Sequence, residues 1–154
     1  YKRQVVVIPY DPTKQEVVMI EQFRIGATRH PEQSPWLLEF VAGGIDSGED
    51  PISAAKRELT EETGLITTEL IPIYQYYTSA GLHNERIHLF CAIIESHLAE
   101  TFCGISEENE DIRTHRIKLK RAIELCELNQ LNNGAAIIGI QWLQLYLKQQ
   151  RNLE

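Results

Sequence analysis

Residues 43–65 read GGIDSGEDPISAAKRELTEETGL, and the middle of this stretch has the features of one helix. Asp50 followed by Pro51 is a favourable helix start, because an Asp side chain caps free backbone N–H groups and proline fits the first helical position. Apolar side chains recur at helical spacing along it, namely Ile52, Ala55 and Leu59. Gly64 is a natural terminator. The sequence therefore predicts a helix between Asp50 and Gly64.

The predicted helix carries several carboxylates on one face. Glu58 and Glu62 lie four residues apart and Glu61 lies three residues after Glu58, so all of them project from the same side. Like charges at this spacing destabilise a helix by roughly 0.2–0.5 kcal/mol per pair. A solvated charged surface is the ordinary explanation of such a cluster. A purely structural helix, however, would gain nothing by stacking these charges.

Two neighbouring features favour a metal site over a solvated surface. Arg57 follows Glu49 by eight residues, so a Glu–Arg pair can tie the preceding loop to the helix. The strand expected before this loop ends in Ala42-Gly43-Gly44, where glycine lets a backbone carbonyl approach a cation closely. Carboxylates, a carbonyl and water suit the octahedral oxygen coordination of Mg²⁺, with Mn²⁺ as a possible substitute. The histidines are scattered without ligand spacing, which disfavours zinc.

The remaining sequence predicts strands on both sides of this helix. The predicted strands are Gln4–Ile8, Glu16–Glu21, Trp36–Val41 (ended by Ala42–Gly44), Glu69–Thr78, Arg86–Glu95 and Arg113–Leu119. Pro9–Pro12 is predicted as a turn and Thr101–Asp111 as an acidic loop. Two later helices are predicted over Ala122–Leu128 and Ala135–Gln149, the second with a core-facing stripe of Ala135, Ile138, Trp142 and Leu145. This order indicates an α/β fold with helices on both faces of a sheet.

Composition narrows the class of protein. A net charge of -7 argues against a nucleic-acid binder, and the chain has no apolar run of membrane-spanning length. The three cysteines, Cys91, Cys103 and Cys126, lack the short spacing of metal or redox motifs, which indicates reduced thiols in a cytoplasmic protein. The chain starts at Tyr1, directly before a predicted core strand. We therefore expect residues 1–154 to form a single domain that lacks an N-terminal segment of the full-length protein.

Residues 43–65 resemble the signature of the Nudix hydrolases, G-x5-E-x7-R-E-U-x-E-E-x-G-U, in which U is a bulky aliphatic residue. Every fixed position is matched at its required spacing, by Gly43, Glu49, Arg57, Glu58, Leu59, Glu61, Glu62, Gly64 and Leu65. The resemblance implies the Nudix fold, an α/β/α sandwich with a mixed β-sheet between helices. It also implies Mg²⁺-dependent hydrolysis of a nucleoside diphosphate linked to another group.

Further segments are similar to the bacterial ADP-ribose pyrophosphatases within this family. These segments are residues 20–24, 35–39, 107–112 and 141–145, so the similarity covers nearly the whole chain. The resemblance implies cleavage of ADP-ribose to AMP and ribose 5-phosphate by a homodimer.

The resemblance also implies roles for individual residues. The Ala42 carbonyl, Glu58 and Glu62 would hold metal, with Glu61 adjacent and Glu110 as an additional ligand. Glu108 would be the general base, because carboxylates engaged by metal are poor bases and a separate loop carboxylate is needed. The substrate-binding residues implied are Arg24 for the diphosphate, Gly44 lining the site, Ser79 and Gly81 in the loop after the signature, and Glu85 for the ribose side.

Three alternatives stay open. Relatives usually carry a proline where Ala80 stands, so the substrate can be another nucleoside diphosphate sugar such as GDP-mannose. A Nudix-fold module that binds ADP-ribose without cleaving it belongs to a different class, although such modules typically lose signature carboxylates. A diphosphate isomerase would need an acidic cysteine, for which Cys91 and Cys103 are the candidates.

Overall fold

A computed structural model describes residues 3–29, 32, 34–104 and 111–151 of the chain. The strands are β1 (Arg3–Asp11), β2 (Glu16–Phe23), β3 (Trp36–Glu39), β4 (Val41–Gly44), β5 (Glu69–Tyr77), β6 (Arg86–Ile93), β7 (Phe102–Cys103) and β8 (Ile112–Lys118). The helices are α1 (Pro51–Thr63), α2 (Leu119–Glu127) and α3 (Gly134–Arg151), with short 3-10 turns at Ile25–Ala27 and Ser96–Leu98. No described helix combines the length and apolar character needed to cross a membrane.

The strands form one mixed sheet in the order β5-β6-β1-β2-β8-β7. β1 and β6 run parallel, and the other pairs are antiparallel. β1 and β2 pair with each other only through Tyr10 and Asp11 of β1, and then diverge. In the space between them β4 pairs with the first half of β1, and β3 pairs with the second half of β2. A short turn at Phe40 joins β3 to β4, so the end of β3 and the start of β4 lie next to each other between β1 and β2.

Helices cover both faces of the sheet, as the sequence predicts. Alternate residues of β1 point to opposite faces, as expected for a strand. Val5 and Val7 pack with Leu59 of α1, whereas Val6 and Ile8 pack with residues of α2 and α3 such as Ile140. The α/β/α sandwich predicted from the signature is therefore confirmed.

The ends of α1 follow from the residues predicted to cap it. The Asp50 carboxylate accepts hydrogen bonds from the N–H groups of Ile52 (2.9 Å) and Ser53 (3.1 Å), and Pro51 is the first helical residue. Gly64 ends the helix with φ at 70°, a left-handed conformation that favours glycine. The helix predicted between Asp50 and Gly64 is confirmed.

Several predicted boundaries are wrong because pairing partners far away in sequence override local signals. Pro9–Asp11, predicted within a turn, continue β1 because Pro9 and Tyr10 pair with β6 and Asp11 pairs with β2. Ala42–Gly44, predicted to end a strand, form β4 against β1. The acidic loop predicted over Thr101–Asp111 contains the short strand β7. On α3, Ala135, Ile138 and Trp142 of the predicted stripe pack partly buried against the core, whereas Leu145 is 57% exposed. The fully buried residues of this helix are Ala136, Gly139, Ile140 and Leu143.

Candidate functional site

The strand β4 and the helix α1 meet through backbone and carboxylate groups. Ala42 donates its N–H to Oε2 of Glu62 at 3.0 Å, and Glu62 is only 2% exposed. The next residue, Gly43, lies against the Glu58 carboxylate so closely that an added Cβ would sit 1.9 Å from its Cδ. Successive residues of β4 thus meet successive turns of α1. Glycine at position 43 is needed because only a residue without a side chain leaves space for Glu58.

Arg57 joins the signature loop to the helix. Its Nε and Nη2 donate to the two carboxylate oxygens of Glu49, both at 3.0 Å, which confirms the predicted Glu–Arg pair. Nη1 donates to Glu58 at 2.8 Å and to Glu61 at 3.0 Å, and Nη2 also donates to the Gly44 carbonyl at 2.9 Å. A single guanidinium therefore holds Glu58 and Glu61, while the Ala42 N–H holds Glu62. We call Glu58, Glu61 and Glu62 the "carboxylate face".

These ion pairs perturb the pKa values of the partners. Hydrogen bonds from Arg57, then from the Asp46 N–H, hold the pKa of Glu49 below its ordinary value. The same contact with Glu49, and further ones with Glu58 and Glu61, hold the pKa of Arg57 above its ordinary value. Glu49 and Arg57 are therefore charged near neutral pH.

The carboxylate face fits a hard divalent cation by its donor chemistry. A buried carboxylate such as Glu62 is costly unless a positive or polar partner compensates it. The donors are all oxygens, and the absent side chain at Gly43 leaves Glu58 a recess beside the strand. Among the residues that the structure describes, no three His, Cys, Asp or Glu side chains are gathered in a metal-binding arrangement. The roles assigned to Ala42, Glu58, Glu61 and Glu62 stay predictions.

A cavity of about 640 Å³ lies where β1 and β2 diverge, and Ala42 is part of its wall. The carboxylate face and the cavity therefore adjoin each other at Ala42. The polar side chains in the wall are Gln4, Arg24, Glu39, Tyr76, Tyr77, Thr78, Glu85 and Asn133. The first two residues of α3, Gly134 and Ala135, complete one side. Helix N-termini favour anions, so this wall suits a negatively charged ligand.

Arg24 is held in this wall by a buried carboxylate. Its Nε donates to Oε2 of Glu39 at 2.7 Å, and Asn133 donates from Nδ2 to Oε1 of the same carboxylate at 2.6 Å. Glu39 is 5% exposed. We call Arg24, Glu39 and Asn133 the "arginine anchor".

Sequence reasoning identified Arg24 and missed Glu39 and Asn133. The signal for Asn133 was present, since Asn directly before a helix is a favoured N-cap. The signal for Glu39 was weaker: one acidic residue in the apolar segment Trp36–Val41, where a buried charge requires a partner.

The other predicted substrate-binding residues lie in three places. Glu85 lines the cavity and accepts a hydrogen bond from the Thr78 hydroxyl at 2.9 Å. Ser79 and Gly81 lie in the turn between β5 and β6, and Gly81 lines a separate cavity of about 360 Å³. Gly44 lies at the end of β4, where its carbonyl accepts from Arg57.

Glu108 and Glu110, predicted as general base and metal ligand, lie outside the described residues. The residues flanking their segment are close to α1. Gly104 donates its N–H to the Glu61 carbonyl at 3.4 Å, and Cys103 pairs with Ile112 across the segment. The described residues before this segment therefore lie beside α1.

The cysteines considered as acids for an isomerase are poorly suited to that role. Cys91 is buried, and burial raises the pKa of its thiol to about 12. Burial, with the charges of Glu100 and Glu62, also raises the pKa of Cys103. A thiol with a raised pKa is a weaker proton donor, and Cys91 is in addition buried away from any substrate.

Comparison with known proteins defines the family. The NUDIX domain model matches residues 1–143, and the chain belongs to this family. It is 46% identical over 142 residues to an ADP-ribose pyrophosphatase of Haemophilus influenzae, covering 90% of this chain and 65% of that protein. It is 40% identical over 147 residues to an ADP-ribose pyrophosphatase of Escherichia coli strain K12, covering 96% of this chain and 70% of that protein. The chain thus spans about two thirds of these relatives' length.

More distant similarities agree on the fold. A GDP-mannose pyrophosphatase of Salmonella typhimurium is 32% identical over 139 residues, covering 90% of this chain and 71% of that protein. The crystal structure of an ADP compounds hydrolase superposes with a TM-score of 0.77 at 23% identity, covering 97% of this chain and 74% of that one. This structural similarity establishes the shared fold.

Proposed function

We propose that the protein is a Mg²⁺-dependent pyrophosphohydrolase that cleaves ADP-ribose to AMP and ribose 5-phosphate. The observation that carries the proposal is the junction at Ala42 between the carboxylate face and the cavity that contains Arg24. A diphosphate placed at this junction would have a cation site on one side and a guanidinium on the other. The two relatives that are 46% and 40% identical to this chain are both named ADP-ribose pyrophosphatase, which supports ADP-ribose as the substrate.

The carboxylate face, the Ala42 carbonyl and Glu110 would hold the metal. When bound, Mg²⁺ (or Mn²⁺) supplies positive charge beside the diphosphate and activates water for attack. Arg57 keeps Glu58 and Glu61 in place by hydrogen bonds at 2.8 and 3.0 Å. The chain thereby fixes its donors before a ligand arrives, which reduces the reorganisation required during reaction.

Arg24 and the N-terminus of α3 would bind the diphosphate oxygens and offset the charge that develops on them. Glu108 would accept the proton of the attacking water. The water oxygen forms a bond to one phosphorus as the bridging P–O bond breaks, which releases AMP and ribose 5-phosphate. Glu85, in the cavity wall, would contact the ribose. Gly44, Ser79 and Gly81 would contribute backbone contacts at the edges.

We further propose that the enzyme is cytoplasmic and homodimeric and that it binds neither nucleic acid nor membranes. The net charge of -7 supports the first of these exclusions, since binding to nucleic acid depends on neutralising phosphates with basic residues. Two-fold dimers are the commonest oligomers of soluble proteins. Size-exclusion chromatography with light scattering measures the oligomeric state directly.

Product analysis tests the substrate. The protein is incubated with ADP-ribose, GDP-mannose and other nucleoside diphosphate sugars plus Mg²⁺, and a parallel sample contains a chelator. We expect AMP and ribose 5-phosphate to form fastest from ADP-ribose and to disappear with the chelator. Faster cleavage of GDP-mannose would identify GDP-mannose as the substrate and leave the proposed mechanism unchanged. GDP-mannose is the second candidate because the relative that is 32% identical is named GDP-mannose pyrophosphatase. Binding of ADP-ribose without AMP release would instead identify a non-catalytic module.

Charge-neutral variants test the carboxylate face. Glu58→Gln and Glu62→Gln each remove the negative charge of a carboxylate proposed to bind the metal. We expect kcat to fall by roughly 100-fold or more. Glu95→Gln is the matched control, because Glu95 is an exposed carboxylate remote from the cavity wall. Wild-type turnover in either the Glu58→Gln or the Glu62→Gln variant would contradict the assigned site.

A further inference from the structure

The carboxylate of Glu39 is a buried negative charge inside a cavity proposed to bind an anion. Such a charge would repel a diphosphate if it acted alone. Its two oxygens are instead used separately, Oε2 by Arg24 at 2.7 Å and Oε1 by Asn133 at 2.6 Å. The neighbouring arginine compensates the charge, and the carboxylate in turn orients the arginine.

The geometry of the Arg24 contact leaves part of the guanidinium for a ligand. Arginine has donors on Nε and on both terminal nitrogens. The bond that Arg24 donates to Glu39 uses Nε, and the two terminal nitrogens lie in the same rigid plane as Nε. The Arg24 side chain is 39% exposed. Because the plane is rigid, fixing Nε fixes the direction of both terminal groups.

Asn133 connects this carboxylate to the start of α3. Its Oδ1 accepts a hydrogen bond from the Ala136 N–H at 3.2 Å, and its carbonyl accepts from Ile137 at 3.1 Å. Its Nδ2 is thereby directed at Glu39. Glu39 therefore holds two groups that favour anions, one on each side of it: the guanidinium and the first turn of α3.

We infer that Glu39 and Asn133 are positioning residues for Arg24, holding its terminal donors toward a bound diphosphate and fixing their distance from the N-terminus of α3. This inference rests on the proposed function for the nature of the ligand. Glu39 itself touches neither substrate nor metal. The contribution under test is the one expressed through Arg24, and this dependence distinguishes positioning from general stabilisation.

Glu39→Gln is the first variant. Glutamine keeps the shape but has one acceptor oxygen in place of two, so the contacts with Arg24 and Asn133 cannot both persist. We expect kcat/KM for ADP-ribose to fall roughly 10- to 100-fold, mainly through KM, since a hydrogen bond to a charged group is lost. A purely structural defect would lower the active fraction and leave KM unchanged.

Glu16→Gln is the matched control. Glu16 also gives one oxygen to a cation, Lys118 Nζ at 2.9 Å, and the other to a neutral donor, Ser96 Oγ at 2.5 Å. Its side chain is 16% exposed, against 6% for Glu39. The chemical change is the same, but Glu16 lies away from the cavity. We expect its KM to equal that of the wild type.

A double-mutant cycle with Arg24→Ala decides the inference. If Glu39 acts through Arg24, Glu39→Gln has no further effect on kcat/KM once Arg24 is removed. An equal fold-loss in the wild-type and Arg24→Ala backgrounds would overturn the inference, as would a Glu39→Gln variant indistinguishable from Glu16→Gln. If the wild type cleaves none of the nucleotide sugars, the proposed function fails. The same cycle is then measured as ADP-ribose affinity by calorimetry, with the same two deciding outcomes.

Asn133→Ser provides a second variant that keeps the helix cap. Serine can still accept the Ala136 N–H but cannot donate to Glu39 as the longer amide does. We expect unchanged thermal unfolding and a smaller rise in KM than for Glu39→Gln. A wild-type KM in this variant would remove Asn133 from the positioning network.

Discussion

The carboxylate face and the arginine anchor are adjoining parts of one site, but the sequence encodes them differently. The carboxylate face lies on a single helix, and its spacing alone brings Glu58, Glu61 and Glu62 to one side. The arginine anchor joins residues 15 and 94 positions apart, from the end of β2, the end of β3 and the start of α3. Local periodicity reveals the first arrangement, whereas only the folded topology reveals the second.

The difference also concerns how charge is handled. On the carboxylate face, one arginine organises several carboxylates, leaving an excess of negative charge that suits a cation. In the arginine anchor, one carboxylate organises an arginine and a helix N-terminus, leaving donors that suit an anion. The two regions meet at Ala42, so a metal and a diphosphate can be held next to each other.

The largest effect is expected from Gly43→Ala, which attacks the carboxylate face through the backbone. A Cβ at this position would lie 1.9 Å from Cδ of Glu58 and within 2.2 Å of both of its oxygens. The Glu58 carboxylate is the end of a flexible side chain, so it can move at modest cost in stability. We expect kcat to fall by roughly 100-fold, because a displaced Glu58 carboxylate can no longer bind the metal in the required position. The thermal unfolding temperature should change little.

Gly26→Ala is the control for this substitution, since an added Cβ there meets nothing within 4 Å. Steady-state kinetics and calorimetric unfolding measure both variants. If Gly43→Ala keeps wild-type turnover, the observed position of Glu58 is irrelevant to catalysis. The carboxylate face, as the structure positions it, would then have no role in catalysis.

A smaller effect is expected from Arg57→Lys, which keeps the charge and removes the planar fork. A lysine ammonium cannot reproduce the bonds to Glu49, Glu58, Glu61 and the Gly44 carbonyl together. Because Arg57 is partly exposed, we expect a loss of about 1–2 kcal/mol in the free energy of unfolding. Turnover should fall roughly tenfold as the carboxylates lose their alignment.

Lys56→Arg, on the exposed surface of the same helix, is the control for Arg57→Lys. Denaturant unfolding and kcat are measured for both. A fully active and fully stable Arg57→Lys variant would show that positive charge alone is sufficient, and that the geometry of the guanidinium contributes nothing.

The extent of successful prediction follows the same division. The α1 helix, its Asp50 and Gly64 ends and the Glu49–Arg57 pair depend on residues close in sequence, and all are confirmed by the structure. The break at Phe40 between β3 and β4 was not predicted. It arises because β1 and β2 diverge, so that β4 pairs with β1 and β3 pairs with β2. Glu39 stands at that break, and its importance was hidden for the same reason.

The smallest effect is expected from Tyr76→Phe in the cavity wall. The Tyr76 hydroxyl is buried and has no hydrogen-bond partner among the described residues. Removing a buried polar group without a partner costs nothing in hydrogen bonding, so we expect the free energy of unfolding near pH 7 to stay within about 0.5 kcal/mol or to rise. Tyr74→Phe, at a 52% exposed position on the same strand, is the control.

Measuring stability at alkaline pH makes the Tyr76→Phe test more specific. Burial, followed by the charge of Glu85, raises the pKa of Tyr76 above its ordinary value of 10.0. Because the unfolded chain releases this proton more readily, the stability of the wild type is full below pH 10.0 and is lost as the pH rises toward the folded-state pKa. Tyr76→Phe lacks this loss, so its thermal unfolding should be less sensitive to pH above 10.0 than that of Tyr74→Phe. Equal slopes for the two variants would mean that the hydroxyl is hydrated, and that the cavity wall is as open at Tyr76 as the outer surface is at Tyr74.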